Sequence, residues 1–247
     1  MPLPLNIALL SAGVLGFRHG FDYDHLAAIS DVASVETSPA CAMRLGLLYA
    51  LGHAATVAAL GSAVILFRVS LPTGIDRFAE VLVGTTLIIL AVYVLASLVR
   101  HQHRHAAKSR ALLLGAGVRW LRWKIRRWQN PQLERPKSFS LNYDLKSVLA
   151  VGIIHGLGAE TPTQLLVFLL AANLGGREKG FLGLAAFLVG LLLMNTLMTA
   201  SAAGLFHIGT VAPKIQRGLM GITAAYSFVV GIAFVMGTSS ILPRLGG

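Results

Sequence analysis

The chain has 247 residues, of which 55% are hydrophobic and only 13% charged, with a mean hydropathy of +0.70 and a formal net charge of +11. Water-soluble domains carry about 25% charged residues, so composition excludes an ordinary soluble domain and leaves a polytopic membrane protein. Cys41 is the only cysteine, which excludes an intrachain disulfide, a Cys-x-x-Cys redox pair and an Fe–S cluster.

The chain begins MPLPLNIALL, without a basic n-region or a small-residue cleavage site, and is read as the start of a membrane segment rather than a cleaved signal. Six apolar segments follow one another, at roughly 4–33, 45–67, 78–99, 146–172, 181–205 and 217–242, each longer than the about 20 residues that cross a bilayer as helix. The expected fold is all-α, with about six transmembrane helices. The first and fourth segments start apolar and then run into glycines and ionisable groups, the pattern of helices broken inside a membrane.

In the first segment, GFRHGFDYDHLAAISDVAS (Gly16 to Ser34) places His19, Asp22, Asp24, His25 and Asp31 within thirteen positions. On a continuous helix His19, Asp22 and His25 step by three and share one side. Asp24 points elsewhere unless the helix breaks, which Gly16 and Gly20 permit. The second segment adds His53, in YALGHAATVA, and the fourth adds His155 and Glu160. An ionisable group at membrane depth costs about 2.5–3.5 kcal/mol on insertion scales, so the four histidines with Asp22, Asp24 and Glu160 are expected to face inward around a shared site. Imidazole and carboxylate together suit borderline divalent metals such as Ni²⁺, Co²⁺ and Zn²⁺, and no thiolate set competes. Taken singly, His53 reads first as a hydrogen-bonded packing histidine, Asp31 and Glu36 as interfacial groups, and His207 as a loop residue.

Between the third and fourth segments, Arg100 to Lys146 holds twelve of the 21 Lys and Arg residues against two acids, so nearly all the net charge sits there. That bias assigns the loop to the cytoplasm and both termini to the outside. RWLRWKIRRWQ interleaves Trp120, Trp123 and Trp128 with basic residues, as segments lying on anionic lipid do. No nucleic-acid partner is expected of a tethered loop without a recognisable fold. His101, His103 and His105 in RHQHRH read either as metal-capturing or as plain solvated loop, with flanking basic charge opposing a cation. Division falls at residues 1–99, a first transmembrane half; 100–145, the basic loop; and 146–247, a second half. Three segments on either side of a cytoplasmic loop have opposite orientations, an inverted repeat. An internal echo agrees: His19-Gly20 precedes Asp24 at the offset at which His155-Gly156 precedes Glu160.

These residues carry a resemblance. RHGFDYDH fits the His-x4-Asp-His signature of the nickel/cobalt transporter family through His19, Asp24 and His25. LGHAATV is similar to that family's Leu-Gly-His-Ser/Thr-x-Val motif through Leu51, Gly52, His53 and Val57. HGLGAETPTQ resembles its glycine-rich Phe-Gly-Leu-Gly-Phe-Asp-Thr-Ala-Thr-Glu motif at Gly156, Leu157, Gly158, Thr161 and Thr163, and LLMNT its Leu-Met-Asp-Thr motif at Leu193, Met194 and Thr196. The four stand in the family's order across the first, second, fourth and fifth segments. The chain departs in having room for six spans rather than the usual eight. It has His155, Ala159, Glu160 and Gln164 where the family has Phe, Phe, Asp and Glu, and Asn195 where it has Asp.

The resemblance implies a permease for a divalent transition metal, nickel or cobalt first, in a multi-pass cell (inner) membrane location. Metal would bind at His19, Asp24, His25 and His53, with Asp22, His155 and Glu160 contributing. The metal is substrate, so no resident cofactor and no enzymatic activity are expected, and oligomeric state stays open. No Gly-x-x-x-x-Gly-Lys-Ser/Thr sequence is present for ATP hydrolysis. The rival readings are an intramembrane metalloenzyme, for which His-Glu-x-x-His and paired histidine boxes are missing, and a metal-sensing or assembly protein on the same fold. His155 is further expected to fold back with the fourth segment toward His19 and His25, as a ligand or proton acceptor, or else to bond a carbonyl freed by the helix break.

Overall fold

The computed structural model describes residues 5–36, 38–67, 75–100, 145–158, 161–211 and 213–238. Its elements are α1 (Leu5–His19), α2 (Tyr23–Ser34), α3 (Pro39–Phe67), α4 (Ile75–Arg100), α5 (Leu145–His155), α6 (Thr161–Val211) and α7 (Pro213–Met236). The helix α6 is two pieces joined at Gly176, whose φ of 82° is open to glycine and strained for other residues. Among the described residues, four helical stretches are long and apolar enough to cross a bilayer: Pro39–Phe67, Arg77–Ala96, Gly176–His207 and Lys214–Met236. Their outward faces carry large apolar side chains such as Leu51, Val189 and Ile222, as lipid contact requires. The protein is therefore all-helical and an integral, multi-pass membrane protein. Most of the basic segment, with His101, His103, His105 and the three tryptophans, lies outside the described residues.

The first and fourth segments are both broken, and their joints are built alike. At the first, the N–H groups of Gly20, Phe21 and Asp22 donate to the carbonyls of Gly16, Arg18 and His19 at 3.0, 2.9 and 3.1 Å. At the second, Gly156, Leu157 and Gly158 donate to Gly152, Ile154 and His155 at 2.9, 3.1 and 2.9 Å. In each case an α-helix tightens into a 3₁₀ turn immediately after a His-Gly pair. The break falls at Gly20, whereas Gly16 remains inside α1, where its role is packing.

Packing between segments is reciprocal. The broken segment's α1 lies against α6, α5 lies against α3, and α3·α6 and α4·α7 complete the bundle. Small residues let the backbones meet, as in membrane helix pairs generally. A methyl group on Gly16 would overlap the Phe187 carbonyl, and one on Gly190 the Gly13 carbonyl. Likewise Gly152 abuts the Tyr49 carbonyl and Gly52 the Leu149 carbonyl. These crossings pull the ends of α1 and α5, where the two histidines sit, into the middle of the bundle.

The short helix α2 is enclosed by α3, α4, α6 and α7, and Ala27, Ala28, Ile29, Val32 and Ala33 on it are essentially inaccessible. Asp31 shares that enclosure at 0% exposure, which corrects the expectation that it is interfacial. His207 is helical and exposed near the end of α6 rather than in a loop.

Candidate metal centre

Three of the expected site residues come together. His19 ends α1, His25 lies in the first turn of α2, and His53 lies midway along α3. His25 and His53 are fully buried and His19 is 5% exposed. Their ring centroids are 5.0 Å apart for His19–His25, 4.3 Å for His25–His53 and 5.4 Å for His19–His53. One ring nitrogen from each lies within 4.8 Å of the other two. The break between α1 and α2 is what achieves this: it turns the chain so that His19 and His25 face the same point from successive helices.

Asp22 fixes the orientation of the first ring. Its Oδ2 lies 2.7 Å from His19 Nδ1, and an ionised carboxylate only accepts, so Nδ1 carries the proton and Nε2 offers its lone pair inward. As N-cap of α2, Asp22 makes no side-chain cap bond; its carboxylate serves the histidine instead. His19 Nε2 and His53 Nε2 face each other at 3.3 Å. Two nitrogens bound to one ion at 2.0–2.1 Å with tetrahedral angles stand about 3.4 Å apart, so the spacing fits a shared cation. Both nitrogens of His25 and Nδ1 of His53 are buried without a hydrogen-bond partner. Leaving such groups unmet costs about 1–3 kcal/mol each, a cost a bound cation would offset.

The other expected residues are placed differently. Asp24 is buried on α2, its carboxylate reaching toward Gly158, and it is not part of the three-histidine group. His155 is also fully buried, but its Nδ1 is 3.0 Å from Tyr49 Oη and its Nε2 is 2.7 Å from Thr86 Oγ1. Thr86 gives its single hydroxyl proton to the Val83 carbonyl at 2.7 Å. His155 Nε2–H therefore donates to Thr86, and Nδ1 accepts from the Tyr49 hydroxyl. Both nitrogens are occupied within the protein. Tyr49 stands between His155 and the triad, edge-on to His25 at 5.9 Å and to His155 at 5.6 Å. Glu160 lies outside the described residues.

Sequence reasoning passed over Tyr49 and Thr86. Tyr49 precedes His53 by four positions, hence one turn along the same face of α3, and that spacing was the available signal. Nothing local marks Thr86. Asn195, noted only as a departure from a motif, is fully buried beside His25, and both its amide atoms lack hydrogen-bond partners.

Fold and site together define a multi-pass helical membrane protein with a buried histidine centre of metal-binding geometry. Over 231 residues the chain is 23% identical to a urease accessory protein, UreH, of a Bacillus strain, covering 93% of this chain and 91% of that one. It is 27% identical over 207 residues to the nickel transporter NixA of Staphylococcus aureus, and 33% identical over 100 residues to a high-affinity nickel transport protein of Cupriavidus necator. Those alignments cover 58% and 28% of the two transporters. No family model matches the chain, and no solved structure matches it. The chain is thus similar to proteins named for nickel transport and, in one case, as a urease accessory protein.

Proposed function

We propose that this protein carries a divalent transition-metal cation, nickel or cobalt first, across the membrane through the His19–His25–His53 centre. The observation that carries the reading is the orphaned pair of nitrogens on His25, at 0% exposure and directly beside two other imidazoles. A buried triad of neutral nitrogen donors around one point has little purpose in a purely structural core, where unmet polar groups are costly. The relatives named as nickel transporters support the same substrate. Asp24, with Asp22 behind His19, would supply negative charge close to the ion. The cation is cargo, and we assign the chain no catalytic step.

The two segments on either side of the basic loop would act as inverted halves. Their like joints and reciprocal packing support this division at residues 1–99 and 146–247. Rocking of one half against the other would expose the centre alternately to each side. The experiment is uptake of radioactive Ni²⁺ and Co²⁺ into proteoliposomes holding the purified protein. Wild type is expected to accumulate metal and His25→Ala to lose at least 90% of that rate at equal incorporation. Unchanged uptake by His25→Ala would remove the centre from the transport path.

One observation favours a second reading, a membrane protein serving the assembly of a metalloenzyme: the similarity that spans nearly all of both chains is to a urease accessory protein. The same proteoliposomes separate the two, because a permease moves metal with no other protein present.

A further inference from the structure

We infer that Asn195 is a fourth, neutral ligand of the centre, so that the ion is held by three imidazoles and one amide oxygen. This rests on the reading of the histidine triad as a metal site.

Asn195 lies on the span of α6 after Gly176, at 0% exposure. Its Oδ1 and Nδ2 are both buried without a hydrogen-bond partner, although an amide has four hydrogen-bonding positions to satisfy. The side chain next to it is His25, close enough for the amide to interact with the ring, although neither nitrogen of that ring meets a partner in hydrogen-bond geometry. Two adjacent, fully buried and unsatisfied polar side chains on different helices have a common solution in an ion between them. Packing holds the amide there. Thr199 donates from Oγ1 to the Asn195 carbonyl at 2.7 Å, and it packs into the space that Gly46 of α3 leaves by lacking a side chain. One and two turns N-terminal to Asn195, Leu191 and Phe187 are fully buried, and the Phe187 ring lies tilted against His19 at 5.9 Å. Rotation of α6 that would take Asn195 away from His25 is thereby blocked on both sides.

An amide oxygen completes the coordination without adding charge. Three histidines and an asparagine bring the ion no direct anion, so the centre holds a dication less tightly than a carboxylate at the same place would. For a carrier this is useful, since cargo must leave as well as enter. The neutral set also selects by ligand type: nitrogen-rich coordination suits nickel, cobalt and zinc over magnesium and calcium, which require more oxygens.

Co²⁺ binding to the purified full-length protein in detergent tests this, read by visible absorption and by equilibrium dialysis. Wild type is expected to bind one Co²⁺, and His25→Ala to lose it. Asn195→Leu, which keeps volume and removes the oxygen, is expected to weaken Co²⁺ at least tenfold and change the ligand-field bands. Asn195→Asp, which keeps the shape and adds an anionic oxygen, is expected to tighten binding at least tenfold and to slow release from preloaded proteoliposomes. If wild type binds Co²⁺ and His25→Ala does not, while both Asn195 variants match wild type in bands and affinity, the amide is not a ligand and the triad reading stands. If wild type binds no Co²⁺ or Ni²⁺, the triad reading itself falls, and this inference with it.

Discussion

His155 shows how a histidine can be central to the site without being free to bind. Its two nitrogens are spent on Tyr49 and Thr86, and through Tyr49 it braces the aromatic wall on which His25 and His53 rest. His155→Phe keeps an aromatic ring but orphans the Tyr49 hydroxyl, at about 1–3 kcal/mol. Thermal unfolding in detergent is expected to show that loss, and the double variant with Tyr49→Phe to recover most of it. Metal stoichiometry by dialysis is expected to stay at the wild-type value in both. A drop in stoichiometry with no change in stability would make His155 a ligand. The sequence made His19, His25 and His53 legible because charge and imidazole stand out against apolar surroundings. It misplaced Asp31, because burial of a carboxylate depends on which helices enclose α2, and passed over Thr86, because a hydroxyl is an ordinary residue in a membrane helix.

At the scale of elements, the site depends on two close helix crossings rather than on the helices' own preferences. Apolar length announced the four long spans and the glycines both breaks; the pairing of α1 with α6 and α5 with α3 is long-range and has no local signature. Gly152→Ala puts a methyl group into the Tyr49 carbonyl and is expected to cost about 1–3 kcal/mol by overpacking. Because Tyr49 and His53 ride on the displaced helix, metal affinity should fall with it. Gly183, with nothing within 4 Å of an added methyl group, provides the contrast. Gly183→Ala is expected to be neutral or stabilising, by up to about 1 kcal/mol from helix propensity. Both are measured by thermal unfolding and Ni²⁺ dialysis. Equal effects of the two substitutions would mean that helix propensity rather than the crossing is at work.

For the whole molecule, the proposed orientation rests on where the charge lies. Twelve of the 21 basic residues fall between Arg100 and Lys146, and holding such a segment on the cytoplasmic side is favoured by about 1 kcal/mol per basic residue near an anionic leaflet. On that reading α4 would deliver the chain to that side and α5 would take it back into the membrane, so that the joints at Gly20 and Gly156 would approach the centre from opposite faces. Such an opposition would serve the proposed alternating access, one joint loosening toward each side while the other stays packed. Cysteine labelling on a Cys41→Ser background tests the arrangement in intact cells and in inverted vesicles. Ser109→Cys is expected to react with an impermeant maleimide only in inverted vesicles, and Gly247→Cys only in intact cells. Reaction of Ser109→Cys from outside would reverse the orientation. Reaction of the two sites from the same side would break the odd number of crossings between them, and with it the inverted relation of the halves.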